Sequence, residues 1–193
     1  MTLALITGGS GHAGAALQRE LLNQGYKVRC IDFDKDHRAY EGLEVDLIEG
    51  DVTKKDTLWK IFEGVDVVFH TAAFICLDRR YKDLIRNVNV VGTENVCDVA
   101  LQSGIKKMIH FSSVDAFNRF PIDQPLLEDK DLVKDKNAIP YGLSKADAQR
   151  VVLEYCNNGL EASIIHPVNI FGPYDYKVGL GTEGLLDLSL IHI

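Results

Sequence analysis

Residues 3–14, Leu3-Ala-Leu-Ile-Thr-Gly-Gly-Ser-Gly-His-Ala-Gly14, decide how this chain folds. Leu3 to Thr7 is a short apolar run of the kind that makes a buried strand, and helical spacing begins at Ala13. Between them Gly8, Gly11 and Gly14 recur at every third residue. Glycine is demanded where a turn is tight, where a phosphate approaches the backbone, and where a helix lies close on a strand. The amino end of the helix then offers N–H groups and a partial positive charge. Strand, glycine turn and helix in this order predict a dinucleotide site, with Gly8, Ser10, Gly11, His12, Ala13 and Gly14 around the phosphates.

The rest of the chain repeats the alternation. Residues 27–32, 65–70, 107–112 and 162–166 are again short, apolar and bounded by turn signals, and residues 44–48 form a weaker, alternating strand. Amphipathic stretches at 13–23, 56–63, 84–102 and 140–157 separate them, the last with Pro140 at the first helical position. The expected fold is α/β, a doubly wound, Rossmann-like parallel sheet with helices on both faces. Ligands of such sheets bind at the carboxyl ends of the strands. Residues 115–137 are polar, contain Pro121 and Pro125, and read as a long functional loop over that edge.

Composition narrows the partners. The 193 residues suffice for one sizeable core, and 46% hydrophobic with 25% charged residues is ordinary for a globular protein. A net charge of -7 argues against nucleic acid and anionic membranes as partners. Cys30, Cys76, Cys97 and Cys156 have neither paired spacing nor metal-ligand spacing with histidine, so reduced thiols and no metal site are expected. The chain enters its first strand at once and has no apolar run near the roughly 20 residues of a membrane helix. A cytoplasmic protein acting on a small molecule is expected.

Asp32 closes the second strand, where an acid accepts hydrogen bonds from the adenine ribose. Its charge would repel a 2′-phosphate, which favours NAD, although the nearby Lys35 and Arg38 keep NADP open. Asp51, in Gly50-Asp-Val52, reads either as an adenine contact or as a helix cap.

Tyr141 and Lys145 stand four residues apart on the 140–157 helix and so share a face. A phenol with a pKa near 10 is a poor catalyst at neutral pH, and a neighbouring ammonium is expected to lower that value. Ser112 and Ser113 end the fifth strand at the same edge, where a hydroxyl can polarise a carbonyl.

In this order the motifs resemble the extended short-chain dehydrogenases/reductases. The similarity is to their NAD-dependent epimerase/dehydratase group, with its dihydroflavonol-reductase-like and 3β-hydroxysteroid-dehydrogenase-like members. The motifs are the glycine turn, Asp51-Val52, His70-Thr-Ala-Ala73, Asn89-Val-Val-Gly-Thr93, Ser112-Ser113, Tyr141 to Lys145, and His166-Pro-Val-Asn-Ile-Phe-Gly-Pro173. The resemblance implies that Tyr141 is the general acid/base, that Lys145 tunes it and binds the nicotinamide ribose, and that Ser113 rather than Ser112 polarises the carbonyl. It further implies cofactor contacts at Val52, Thr71, Ala72 and Ala73, a bracing role for Asn89, and His166-Pro167 beside the nicotinamide. Many relatives carry Arg-Pro there, so His166 is a departure.

Val114-Asp115-Ala116 follows the serines where sugar-nucleotide dehydratases carry Asp-Glu, which disfavours dehydration. An alcohol/ketone oxidoreductase is the leading expectation, a sugar-nucleotide epimerase the second, and a non-catalytic dinucleotide sensor the third. Residues 1–175 are expected to form the nucleotide-binding and catalytic unit and 176–187 the start of a largely missing substrate domain. Leu188-Ser-Leu-Ile-His-Ile193 matches one frame of a transposon mosaic-end adapter and is expected to be a non-native tail. The two long helices are expected to pair in a homodimer.

Overall fold

Alternate residues of the central strands enter two different cores, and this places a helical layer on each side of one sheet. The computed structural model describes residues 1–33, 37–121 and 123–177. Its strands are β1 (Leu3–Thr7), β2 (Lys27–Asp32), β3 (Val45–Glu49), β4 (Val67–His70), β5 (Lys107–Phe111) and β6 (Ala162–Ile165). All pair in parallel, in the order β3-β2-β1-β4-β5-β6. The order reverses between β1 and β4, the switch point at which such sheets open a crevice. The sheet is the Rossmann-like one expected.

The helices are α1 (His12–Asn23), α2 (Lys55–Ile61), α3 (Lys82–Arg86), α4 (Gly92–Gln102) and α5 (Pro140–Asn157). Ala4, Ile6, Val28 and Cys30 point to one side and pack with Ala15 and Leu21 of α1. Leu5, Ile31, Val68 and Met108 point to the other, against Leu58 and Ile61 of α2, Val96 and Val99 of α4 and Val152 of α5. All four cysteines are free thiols, and burial pushes that of Cys30 up to about 12. No helix among the described residues is long and apolar enough to cross a membrane.

One element departs from expectation. The single helix expected over 84–102 begins at Lys82 and is wound as a π turn over Asn87–Val91, joining α3 to α4 without a break. A π turn takes up one extra residue. Val88, Val91, Val96 and Val99 keep an apolar character on both sides of it, so periodicity alone does not register the insertion. The described residues of 115–137 are, as expected, mostly irregular, with a 3-10 turn at Val114–Ala116 and a bridge between Phe117 and Leu132. The suspected tail at 188–193 lies outside the described residues.

Two histidines are buried in the sheet with ring centroids 5.4 Å apart, His70 at the end of β4 and His110 beside it on β5. Burial, with Lys145 nearby, lowers the pKa of His70 to about 3, and burial holds that of His110 well below its ordinary value. Both rings are therefore neutral when folded and take up protons on unfolding below about pH 6.5. Folding stability should be complete above that pH and decline as pH falls towards 3, by at most about 1.4 kcal/mol per pH unit for each ring. Urea denaturation across this range should show the decline, and a slope in His70→Asn equal to that of the wild type would contradict it.

Candidate active site

The glycine turn is held by contacts that leave no room for a side chain. Gly8 has φ +77°, donates its N–H to the Ile31 carbonyl at 2.9 Å, and would place a Cβ 2.8 Å from the Ala72 Cα. A Cβ on Gly14 would overlap the Gly8 carbonyl oxygen and lie 2.8 Å from the Gly9 Cα. Strand β1, helix α1 and the chain after β4 thus touch through bare backbone. Gly11 is the amino cap of α1, with no side chain capping it and no acid in the first turn. The free N–H groups of α1 face an anion-compatible end of the helix.

Beside this turn lies a cavity of about 450 Å³. Gly8, Ser10, Gly11, Asp32, Asp51, Val52, Thr71, Ala72 and Ala73, all expected from the sequence to contact a cofactor, line it together. Asp32 is buried, and its Oδ2 accepts from the Ser10 N–H at 2.6 Å and from the Tyr40 hydroxyl at 2.9 Å. Asp51 Oδ1 accepts from the N–H and hydroxyl of Thr53, both at 2.8 Å, so it stiffens its own turn. It is not the cap of α2, whose amino cap is Lys54. Thr71 donates its hydroxyl to the Thr7 carbonyl at 2.7 Å. Ala13 belongs to α1, while His12 turns to the Pro173 carbonyl at 3.1 Å and does not line the cavity. Narrow backbone, a free helix end and a wall of small residues fit a dinucleotide diphosphate.

The catalytic candidates gather at the carboxyl ends of β5 and β6. Lys145 is buried and donates from Nζ to the Phe111 carbonyl at 2.7 Å, and burial lowers its pKa to about 8. Burial also raises the pKa of Tyr141, the Ser113 hydroxyl pulling it down and the Asp115 carboxylate pushing it further up. This corrects the expected lowering by Lys145. The Lys145 ammonium is committed to a backbone carbonyl, and loss of solvent around the phenol is the largest influence on it.

The two serines separate cleanly. Ser112 donates to Gln149 Oε1 at 2.9 Å in a buried contact, whereas Ser113 lies against Tyr141 and accepts from the Asp115 N–H at 3.1 Å. His166 donates from Nε2 to the same Gln149 oxygen at 2.9 Å and packs tilted against Phe117 with centroids 4.7 Å apart, its pKa lowered chiefly by burial. The Pro167 carbonyl accepts from the Val114 N–H at 3.3 Å. These two residues join β6 to the serine turn and do not line the cavity. Nor do Asn89, Ser113, Tyr141 and Lys145.

A buried chain of hydrogen bonds connects the two regions. Thr7 Oγ1 lies 2.7 Å from His70 Nδ1, and His70 Nε2 lies 2.9 Å from Thr93 Oγ1, which gives its proton to the Asn89 carbonyl at 2.6 Å. The neutral His70 ring must then carry its proton on Nε2 and accept from Thr7. The Asn89 side chain accepts from the Phe74 N–H at 2.7 Å and donates to Ser144 Oγ at 2.9 Å. Ser144 donates to the Tyr141 carbonyl at 2.7 Å. Asn89 therefore ties the chain after β4 to α5.

Several lining residues are absent from the sequence reading. Phe33 follows Asp32 and is largely exposed, Phe74 follows Ala73, and Leu84, Asn87 and Val88 come from α3 and the π turn. The first two were within reach of the motifs, one residue past their ends. The others hide in a helical pattern that reads as core, and Lys177 lies beyond every motif.

The model of the NAD dependent epimerase/dehydratase family matches residues 4–184. The chain is 32% identical over 186 residues to sterol demethylase protein B of Methylococcus capsulatus, covering 96% of this chain and 56% of that protein. It is 29% identical over 181 residues to the "sterol-4-alpha-carboxylate 3-dehydrogenase, decarboxylating" of Mus musculus, covering 88% and 46%. Among solved structures, DesIV, the dTDP-glucose 4,6-dehydratase of Streptomyces venezuelae with NAD and TYD bound, matches with a TM-score of 0.85 at 25% identity, covering 97% and 62%. The chain spans about half the length of the curated relatives it matches.

Two variants test the packing of the site. Gly14→Ala should destabilise the chain by about 1–3 kcal/mol through overlap, although alanine favours a helix by about 1 kcal/mol elsewhere. Lys145→Met should raise the thermal midpoint at neutral pH. With a folded pKa of about 8 against 10.5, the ammonium weakens the fold below pH 8, and the penalty fades as pH rises to 10.5. A midpoint for Lys145→Met below that of the wild type at pH 7 would refute this account.

Proposed function

We propose that this chain, which belongs to the NAD dependent epimerase/dehydratase family, is the nucleotide-binding and catalytic part of an NAD-dependent oxidoreductase that interconverts a ketone and a secondary alcohol. The observation that carries the reading is the contact of Ser113 with the half-buried Tyr141, one helical turn before the buried Lys145, at the strand edge that also holds the glycine-turn cavity. Thr7, His70 and His110 are level in register across β1, β4 and β5. With strands ~4.8 Å apart, the glycine turn and the serine turn lie within about 10 Å across the sheet.

Gly8, Gly11 and the amino end of α1 would hold the diphosphate, and Asp32 the adenine ribose. Phe33 and Val52 present apolar surface for the adenine. Bound NADH supplies the hydride and NAD accepts it. Ser113 would hold the substrate oxygen by a hydrogen bond, and Tyr141 would deliver the proton to it. A phenol whose pKa is raised stays protonated at neutral pH, which suits it to give a proton to a ketone being reduced. Lys145 would release the Phe111 carbonyl to meet the nicotinamide ribose. In the whole protein two copies are proposed to pair through α4 and α5, where Leu153 is exposed.

In the full-length enzyme Tyr141→Phe should lower turnover about 10²- to 10⁴-fold while leaving NADH affinity nearly unchanged. Unchanged turnover would remove Tyr141 from the chemistry. Ketone reduction should be steady with pH up to about 8 and decline above it, as Lys145 loses its proton. Substrate turnover with no net change in NADH would replace the reductase reading by epimerisation.

A further inference from the structure

The chain after Gly172 folds back across the glycine turn. His12 Nε2 donates to the Pro173 carbonyl at 3.1 Å. The Arg19 guanidinium lies 4.1 Å over the Tyr174 ring and donates to the Tyr176 hydroxyl at 3.3 Å. Arg38 donates to the Tyr176 carbonyl at 3.0 Å, with its guanidinium 5.9 Å over the Tyr176 ring. Tyr174 has φ +75°, a conformation that a bulky L residue keeps only where its surroundings hold it. Three cationic or aromatic anchors from α1 and the 3-10 turn at His37–Tyr40 do the holding.

This path brings Lys177 to the cavity, where its Nζ donates to Ser10 Oγ at 2.7 Å. Two carboxylates, Asp32 and Asp51, also line that cavity, and among its described lining residues Lys177 is the one lysine or arginine. A diphosphate entering beside two carboxylates meets the Lys177 ammonium here. The helix end contributes only a partial positive charge.

We propose that Lys177 is a ligand of the dinucleotide diphosphate and that residues 173–177 are the strap that carries it there. The inference rests on the dinucleotide reading of the cavity. Its test uses the 193-residue chain, with NADH and NADPH titrated by fluorescence into the wild type, Lys177→Gln and Lys177→Arg at low and high salt.

Lys177→Gln should weaken both cofactors alike, by about tenfold at low salt, and should flatten the salt dependence. Lys177→Arg should restore most of the affinity. The thermal midpoint of the ligand-free Lys177→Gln chain should equal that of the wild type, which separates lost binding from lost folding. Arg19→Gln, which loosens the strap outside the cavity, should weaken NADH to a smaller degree. Equal affinities in wild type and Lys177→Gln would overturn the inference while leaving the dinucleotide reading intact. A loss confined to NADPH would overturn it by moving the contact to the 2′-phosphate. A wild-type chain that bound neither cofactor would overturn both.

Discussion

Backbone touching backbone at the glycine turn is the constraint on which the other features of this molecule rest. Gly8 against Ala72 and Gly14 against Gly8 bring the ends of β1 and β4 and the start of α1 into contact without side chains between them. Those two strands flank the switch point of the sheet, so their closeness sets the width of the crevice there. One methyl group at either glycine would widen it. The cavity, its acids and the free end of α1 all take their positions from this turn.

A second layer of organisation is polar and almost wholly buried. Thr7, His70, Thr93, Asn89 and Ser144 link the end of the first strand to the backbone of Tyr141 by an unbroken series of hydrogen bonds. Such a series fixes orientation because each member has one compatible role as donor or acceptor. His70 has its tautomer set in this way. Lys145 and His110 stand next to the series and are less well served, one an ammonium out of water and the other a ring with both nitrogens unpartnered among the described residues. The sheet edge carries groups that oppose folding where the chemistry is proposed to occur.

The strands, the switch point and most of the cavity wall were legible because glycine spacing and apolar runs report backbone needs directly. Gly8, Asp32, Asp51 and Ala72, each expected at a cofactor from its motif, line one cavity together. The sign of the Tyr141 shift was not legible, since a shared helical face places Lys145 near but says nothing of burial or of the Phe111 carbonyl that engages it. The place of His12 in the turn predicts a cofactor contact, yet its partner, Pro173, is 161 residues away. Lys177 could not be found by pattern at all, because the contacts that bring it back are cation–aromatic and irregular.

The π turn at Asn87–Val91 has a consequence for how this rod is divided. With one residue in excess of regular winding, the faces before and after it are out of phase. Leu84 and Val88 look into the cavity, whereas Val96 and Val99 look into the hydrophobic core, although all four belong to one uninterrupted helix. Before the turn the helix serves both, since Ile85 is fully buried between the cavity residues Leu84 and Val88. A change at Leu84 or Val88 therefore reshapes the cavity wall without touching the core that Val96 and Val99 fill, so one helix carries two surfaces that can be altered separately.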